Sequence, residues 1–126
     1  GVSMDENIYS YRCKLVRVVD ADTSVVDIDL GFGVYLHNQY IRFHGIDTPE
    51  SRTRNLEEKA LGLAAKARAK ELLPKKFIMN TYKDGKGKFG RILGRPILED
   101  GRDVCEVLIS EGHARPYYGG KKESWT

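Results

Sequence analysis

The first third of the chain alternates between hydrophobic and polar residues, which is the pattern of half-buried β-strands. The predicted strands span residues 9–19, 23–30 and 34–46. A GFG sequence at 31–33 predicts the turn between the second and third strands, because glycine readily adopts positive φ. In the third strand Ile41 and Phe43 share one face, whereas Arg42 lies on the other. The three segments predict an antiparallel meander.

After Pro49 the apolar residues recur with a period of about 3.6, which predicts a helix at 55–73 that ends before Pro74. One arc of this helix is apolar and flanked by lysines, the amphipathic pattern of a helix packed on a core. The residues of this arc are Leu56, Ala60, Leu63, Ala64 and Ala67. Beyond the helix, the pattern predicts strands at 75–82 and 91–98, a glycine- and lysine-rich loop between them at 83–90, and a short helix at 103–111.

This order of elements is that of an OB-fold, a five-stranded barrel with two packed helices, mainly β with α (α+β). Pro96 places the fifth strand at an edge or a bulge, because proline cannot donate to a ladder. We expect one domain at 9–118, a flexible or vector-derived segment at 1–8, and a tail at 119–126 that Trp125 anchors to the domain. The fold alone is typical of an oligonucleotide-binding module and does not establish an enzyme.

Charge is distributed unevenly, although the net charge is only +3. Basic residues concentrate at 75–95, whereas carboxylates concentrate at 20–29 and 47–58. An acidic pocket within a basic rim suits a metal ion together with a polyanion. The alternative is that surface charges segregate by chance in so short a chain.

The composition excludes some classes of protein. The 126 residues, 40% of them hydrophobic, are enough for one domain with its own core. No apolar run is long enough to cross a bilayer, so we expect no membrane partner, and no signal peptide is visible. Cys13 and Cys105 form no zinc-binding spacing, and we expect two buried thiols, with a disulfide as the open alternative.

Carboxylates stand at two places that hairpin topology brings together. Asp20 and Asp22 lie between the first two strands, and Asp47 follows the third. Because strands two and three are hairpin partners, the start of one must lie near the end of the other. Two unpaired carboxylates at close range require a cation between them, and hard oxygen ligands without His or Cys indicate Ca²⁺ or Mg²⁺. By itself the Asp20–Asp22 pair is more typical of a structural turn.

Two arginines and a glutamate complete a candidate catalytic set. Arg42 and Arg91 could each hold a phosphate with a planar guanidinium, although most arginines simply pair with surface acids. Two arginines and a metal would stabilise the charge of a phosphodiester under attack. Glu50 would orient or deprotonate water, and Pro49 would make its turn rigid.

The segments that carry these residues are VVDADT, IRFHGIDTPE and KFGR. In order and spacing they resemble the signature segments of the staphylococcal (micrococcal) nuclease family, the thermonucleases, from Cys13 to about Tyr118. The resemblance implies an OB-like barrel and a Ca²⁺-dependent phosphodiesterase that cuts DNA and RNA and leaves 3′-phosphate ends. The expected partners are single-stranded or locally melted DNA and RNA, and we expect a monomer.

The resemblance also implies a role for individual residues. Asp22, Asp47 and the backbone carbonyl of Thr48 would bind the metal, and Asp20 would support them. Arg42 and Arg91 would clamp the phosphate, with Glu50 as the proposed general base. The residues expected to hold a terminal phosphate or stack on a base are Lys88, Phe89, Tyr117 and Tyr118.

The chain departs from the best-known family members in three ways. Phe89 stands where they have tyrosine, the hairpin around residue 32 is longer, and their long C-terminal helix is absent. The compact ending favours a cytoplasmic protein of phage or plasmid type, with a secreted mature form as the alternative. A catalytically weak or inactive nucleic-acid-binding module is the alternative function. Inactive copies should lack at least one of five site residues, and this chain has Asp22, Arg42, Asp47, Glu50 and Arg91.

Overall fold

The computed structural model of the chain describes residues 7–82, 92–117 and 125. Seven strands and two helices occur in these residues. The strands are β1 (Asn7–Asp20), β2 (Thr23–Gly31), β3 (Val34–Phe43), β4 (Ile46–Asp47), β5 (Lys76–Tyr82), β6 (Ile92–Ile97) and β7 (Arg115–Pro116). The helices are α1 (Leu56–Leu72) and α2 (Val104–Ser110). The loop predicted at 83–90, Arg91 and most of the predicted tail lie outside the described residues.

Five of the strands close a barrel in the order β1-β2-β3-β6-β5. Neighbouring strands are antiparallel except β3 and β6, whose parallel pairing completes the closure. The predicted faces of β3 are confirmed, since Ile41 and Phe43 are 0% and 1% exposed and face the core, whereas Arg42 lies on the other side. The closed barrel with two helices confirms the predicted fold.

The third strand ends at Phe43, earlier than predicted, and the turn that follows it sets the position of Asp47. Gly45 adopts a φ of 85°, a left-handed conformation that interrupts the strand after Phe43. Beyond this turn, β4 pairs with β7 as a separate two-stranded sheet, with Asp47 opposite Arg115. The predicted strand at 34–46 is therefore two strands, and Asp47 belongs to the second sheet.

The predicted packed face of α1 is wrong. Leu56 and Leu63 are 78% and 49% exposed, and the alanines of the predicted arc are exposed as well. The buried residues are Gly62, Ala65, Ala69 and Leu72. Small side chains let the helix axis come close to the chain beneath it, and this requirement outweighs the burial of leucine. A Cβ atom added at Gly62 would lie 2.3 Å from the backbone oxygen of Glu50.

The second helix and the cysteines agree with expectation, whereas the position of the fifth predicted strand does not. Asp103 caps α2 by accepting a hydrogen bond of 2.8 Å from the amide of Cys105. Both cysteines are free and buried, so the disulfide alternative does not occur. The strand that contains Pro96, β6, lies between β3 and β5 in the closed barrel, so the predicted edge or bulge is wrong; Pro96 is accommodated because it pairs with β5 beyond the end of the β3–β6 ladder. Neither described helix combines the length and apolarity needed to cross a membrane.

Candidate active site

The start of β2 lies beside the end of β3, as hairpin topology predicts. Thr23 pairs with Arg42, and the amide of Phe43 donates a hydrogen bond of 2.8 Å to the carbonyl of Asp22. This register places the Asp22 carboxylate 3.3 Å from the guanidinium of Arg42, measured from Oδ2 to Nη1. Both side chains are only 13% exposed, so the ion pair lies largely away from solvent.

The Arg42 guanidinium is fixed by the backbone as well as by Asp22. It donates through Nη1 to the carbonyl of Phe43 at 3.0 Å and through Nη2 to the carbonyl of Ile46 at 2.8 Å. The peptide of Ile46 immediately precedes Asp47, so this one side chain joins the β1–β2 turn, the end of β3 and the start of β4. The guanidinium plane is therefore held in a set orientation, the property that a planar anion clamp requires.

Asp47 is buried beside a second arginine and an indole. Its relative exposure is 4%, and Nη2 of Arg115 on β7 lies 3.8 Å from its Oδ2. Trp125 donates a hydrogen bond of 3.2 Å through Nε1 to the same oxygen. The Arg115 guanidinium also stacks over the Trp125 ring, 4.0 Å from the ring centroid. Trp125 thus docks on the domain, as predicted, and it docks on a predicted metal ligand.

The two carboxylates therefore have an arginine each, Arg42 beside Asp22 and Arg115 beside Asp47. Burying a carboxylate is costly without a partner charge, and the arginines provide that charge. The expectation that these carboxylates must share a cation to be stable is thus too strong. Their burial is explained without one.

Thr48 supplies an unusual buried group next to Asp47. The residue is 4% exposed, and its hydroxyl has no hydrogen-bond partner among the described residues. A buried hydroxyl without a partner costs about 1–3 kcal/mol, and such groups recur where a ligand, ion or water binds. The residue whose backbone carbonyl is a predicted ligand therefore also carries a hydroxyl whose hydrogen bonding is incomplete within the described residues.

The turn that carries Glu50 is held in place by three contacts, while the Glu50 side chain is exposed. The Glu50 amide donates a hydrogen bond of 3.0 Å to a carboxylate oxygen of Glu58 on α1. The next residue, Ser51, donates a short hydrogen bond from its hydroxyl to Asp20. Gly62 lies directly beneath the Glu50–Ser51 peptide. Asp20, predicted to support the metal ligands, thus contacts the turn that carries Glu50.

Sequence reasoning missed Ser51, Glu58 and Gly62 as supports of this turn. Only Gly62 gave a signal, because a glycine within a helix of alanines and leucines costs stability unless close packing requires it. Ser51 and Glu58 are ordinary polar residues in sequence, and their partners become evident only after folding.

Of the remaining predicted site residues, only Tyr117 lies within the described ranges. Tyr117 is half-buried, and its amide donates a hydrogen bond of 2.8 Å to the carbonyl of Gly45, which fixes it beside the turn that leads to β4. Lys88, Phe89, Arg91 and Tyr118 lie outside the described residues. Within the described ranges, no three side chains of His, Cys, Asp or Glu gather as potential metal ligands.

Comparison with known proteins identifies the family. A sequence model described as "Staphylococcal nuclease homologue" matches residues 40–125, which is more than half of the chain and includes Arg42, Asp47, Glu50 and Trp125. The chain belongs to the staphylococcal nuclease family. The predicted family is thereby confirmed, and the matched range contains two of the three signature segments, IRFHGIDTPE and KFGR.

Two relatives show how far this similarity extends. Over 106 residues, the chain is 33% identical to the SPbeta prophage-derived endonuclease YokF of Bacillus subtilis (strain 168), covering 82% of this chain and 33% of that protein. Over 104 residues, it is 34% identical to the Thermonuclease of Staphylococcus hyicus, covering 81% of this chain and 57% of that protein. The chain thus spans between a third and somewhat more than half of these staphylococcal nuclease family members.

Proposed function

We propose that this chain is a Ca²⁺-dependent nuclease that hydrolyses phosphodiester bonds of DNA and RNA and leaves 3′-phosphate ends. The observation that carries the proposal is the position of Arg42, between the Asp22 carboxylate and the peptide that precedes Asp47. Family membership supports the same conclusion, since the two relatives are named as an endonuclease and a thermonuclease.

The oxygen atoms of Asp22, Asp47 and Thr48, which we call the carboxylate corner, suit a hard cation. Asp22, Asp47 and the carbonyl of Thr48 would be its ligands. The Thr48 hydroxyl, which has no partner among the described residues, is consistent with a polar ligand beside them. Because no third acidic side chain joins them in the described residues, water and phosphate oxygens would complete the coordination. Bound Ca²⁺ would supply positive charge to stabilise the negative charge that accumulates on the phosphate oxygens.

Arg42 and Arg91 would hold the two non-bridging oxygens of the scissile phosphate. The carbonyls of Phe43 and Ile46 already orient the Arg42 guanidinium, so little reorganisation is needed when the phosphate gains charge. Glu50 would orient the attacking water and accept its proton. The three contacts that hold its turn support this role, because a general base must be fixed at the right place relative to the attacking water.

Aromatic and basic residues would select the substrate. Tyr117, Tyr118 and Phe89 would stack on exposed bases and Lys88 would bind a terminal phosphate, so that single-stranded or locally melted nucleic acid is preferred over intact duplex. All the proposed groups belong to one chain, so a monomer would suffice for activity.

The test is to incubate single-stranded DNA, duplex DNA and RNA with the protein in Ca²⁺ and in a chelator, and to identify the phosphate at the new ends. We expect cleavage only with Ca²⁺, with 3′-phosphate products and fastest on single strands. Arg42→Ala should lower the rate by about 10²–10³, the usual effect of removing one preorganised charge donor. Cleavage that continues unchanged in chelator would refute the metal assignment, and binding without cleavage would favour the inactive module.

Two further variants make the Arg42→Ala result interpretable. Arg42→Ala leaves Asp22 without its charge partner, whereas Arg42→Lys keeps a positive charge beside Asp22 but lacks the planar guanidinium, so it should retain most of the stability and still cleave slowly. Arg102→Ala removes the same charge from an exposed pair with Asp100 and should cleave like the unmodified protein. Equal losses in Arg42→Ala and Arg102→Ala would contradict a specific clamp.

A further inference from the structure

The contact between Trp125 and Asp47 joins residues 78 positions apart in the chain. Three groups form this contact, which we call the Asp47 cluster: the Asp47 carboxylate, the Arg115 guanidinium and the Trp125 indole. Arg115 is placed by the β4–β7 register, where it lies opposite Asp47. Trp125 lies against the guanidinium at 4.0 Å and is partly buried.

Arg115 and Trp125 act on Asp47 in different ways. Arg115 provides charge, and the distance of 3.8 Å from its Nη2 to Oδ2 is longer than a hydrogen bond. The indole N–H can only donate, and at 3.2 Å it gives Oδ2 a directional partner. Because the terminal torsion of aspartate is broad, a directed N–H on Oδ2 restricts the orientation of the carboxylate more than a neighbouring charge does.

We propose that Trp125 is a positioning residue for Asp47, and that docking of Trp125 and binding of Ca²⁺ at Asp47 are coupled. The inference rests on the proposed function, in which Asp47 is a cation ligand. Groups that hydrogen-bond a ligating carboxylate typically change metal affinity by about 10–100-fold when they are removed. By reciprocity, a cation that draws on the same carboxylate must alter the environment of the indole.

The chain offers a direct reporter, because Trp125 is its only tryptophan. Indole emission, excited at wavelengths where tyrosine does not absorb, therefore reports on the Asp47 cluster alone. We expect a saturable change in this emission as Ca²⁺ is added. Its midpoint should agree with the dissociation constant measured independently by calorimetry.

The decisive variant is Trp125→Phe, which keeps an aromatic ring for Arg115 but removes the N–H donor. We expect it to remain folded by circular dichroism and to bind Ca²⁺ about tenfold more weakly by calorimetry. Trp125→Ala, which removes the ring as well, should bind no more tightly than Trp125→Phe. Tyr40→Phe is the matched control, because it removes a polar atom from another aromatic–arginine pair, with Arg17, and should leave the affinity unchanged.

The outcomes separate the inference from the proposed function. If unmodified protein binds Ca²⁺ and Trp125→Phe binds it equally well, the positioning role is refuted and the nuclease proposal stands. If Ca²⁺ saturates the protein without changing indole emission, the coupling is refuted. If unmodified protein binds no Ca²⁺ by calorimetry, the metal assignment fails, and the inference fails with it.

Discussion

The close approach of α1 to the Glu50 turn leads to a prediction about one methyl group. In Gly62→Ala the new Cβ would lie 2.3 Å from the carbonyl oxygen of Glu50, 2.4 Å from its carbonyl carbon and 2.6 Å from the amide nitrogen of Ser51. Ordinary contact begins near 3.4 Å, so the helix and the turn must separate by about 1 Å. All three atoms belong to the backbone, and no side chain can rotate away to make space.

The magnitude follows from opposing contributions. Overpacking of this kind costs about 1–3 kcal/mol, and displacing the turn also weakens its hydrogen bonds to Glu58 and Asp20, each worth about 1 kcal/mol. The better helix propensity of alanine offsets about 1 kcal/mol. We expect a net destabilisation of roughly 1–3 kcal/mol. Because a displacement of about 1 Å can lower a reaction rate about 10²-fold, the cleavage rate should fall by more than the loss of folded protein alone would cause.

Urea denaturation and initial cleavage rates on single-stranded DNA measure the two effects. Ala64→Gly is the control, because Ala64 is exposed on the same helix. It should lose only the propensity difference of about 1 kcal/mol and cleave at the full rate. A Gly62→Ala protein that is stabilised by about that amount and cleaves normally would refute the close-packing argument.

Three further predictions concern hydrogen bonds and titrating groups. Ser51→Ala removes the donor to Asp20 and should lower the free energy of unfolding, measured by urea denaturation, by about 1 kcal/mol and reduce the cleavage rate. If neither quantity changes, the Ser51–Asp20 hydrogen bond does not support the Glu50 turn. Burial raises the pKa of the Cys13 thiol from 9.0 to about 12. The stability contributed by the protonated thiol is therefore complete below pH 9 and is lost as pH rises toward 12. The urea midpoint should fall over this range, and it should fall less in Cys13→Ala. Hydrogen bonds of 2.6 and 2.8 Å from Arg68 hold the pKa of Glu111 below its ordinary value of 4.5. The stability that these bonds confer is present above pH 4.5 and is lost as pH falls through the lowered pKa. The Tm of Glu111→Gln should therefore depend less on acid pH than the Tm of the unmodified protein.

The barrel could be predicted because period-two alternation reports directly on which side of a strand is buried. This pattern alone assigns Ile41 and Phe43 to the core face, and both are buried. The orientation of α1 could not be predicted in the same way. A helical pattern ranks residues by hydrophobicity, whereas the packing of α1 is determined by how closely its axis approaches the Glu50 turn. That distance selects Gly62 over Leu56 and Leu63 where α1 crosses the turn.

The proximity of Asp22 to the end of β3 was also predictable, because a hairpin brings the start of one strand to the end of its partner. The path of the chain after Phe43 was not. The left-handed Gly45 moves Asp47 into a second sheet, and only this sheet brings Arg115 opposite it. The contact of Trp125 with Asp47 depends on that pairing, so no local pattern in the sequence could indicate it.

Within the described residues, Asp22 and Asp47 each have an arginine as charge partner before any ligand binds, Arg42 beside Asp22 and Arg115 beside Asp47. This pairing explains how two carboxylates can be buried in a chain that must also fold without its substrate. It also limits what substitution can reveal, because removing either arginine leaves a buried charge uncompensated and lowers stability together with any activity. A lost rate therefore identifies a phosphate clamp only when stability is retained, as expected for Arg42→Lys, which keeps the charge beside Asp22 and loses only the planar guanidinium.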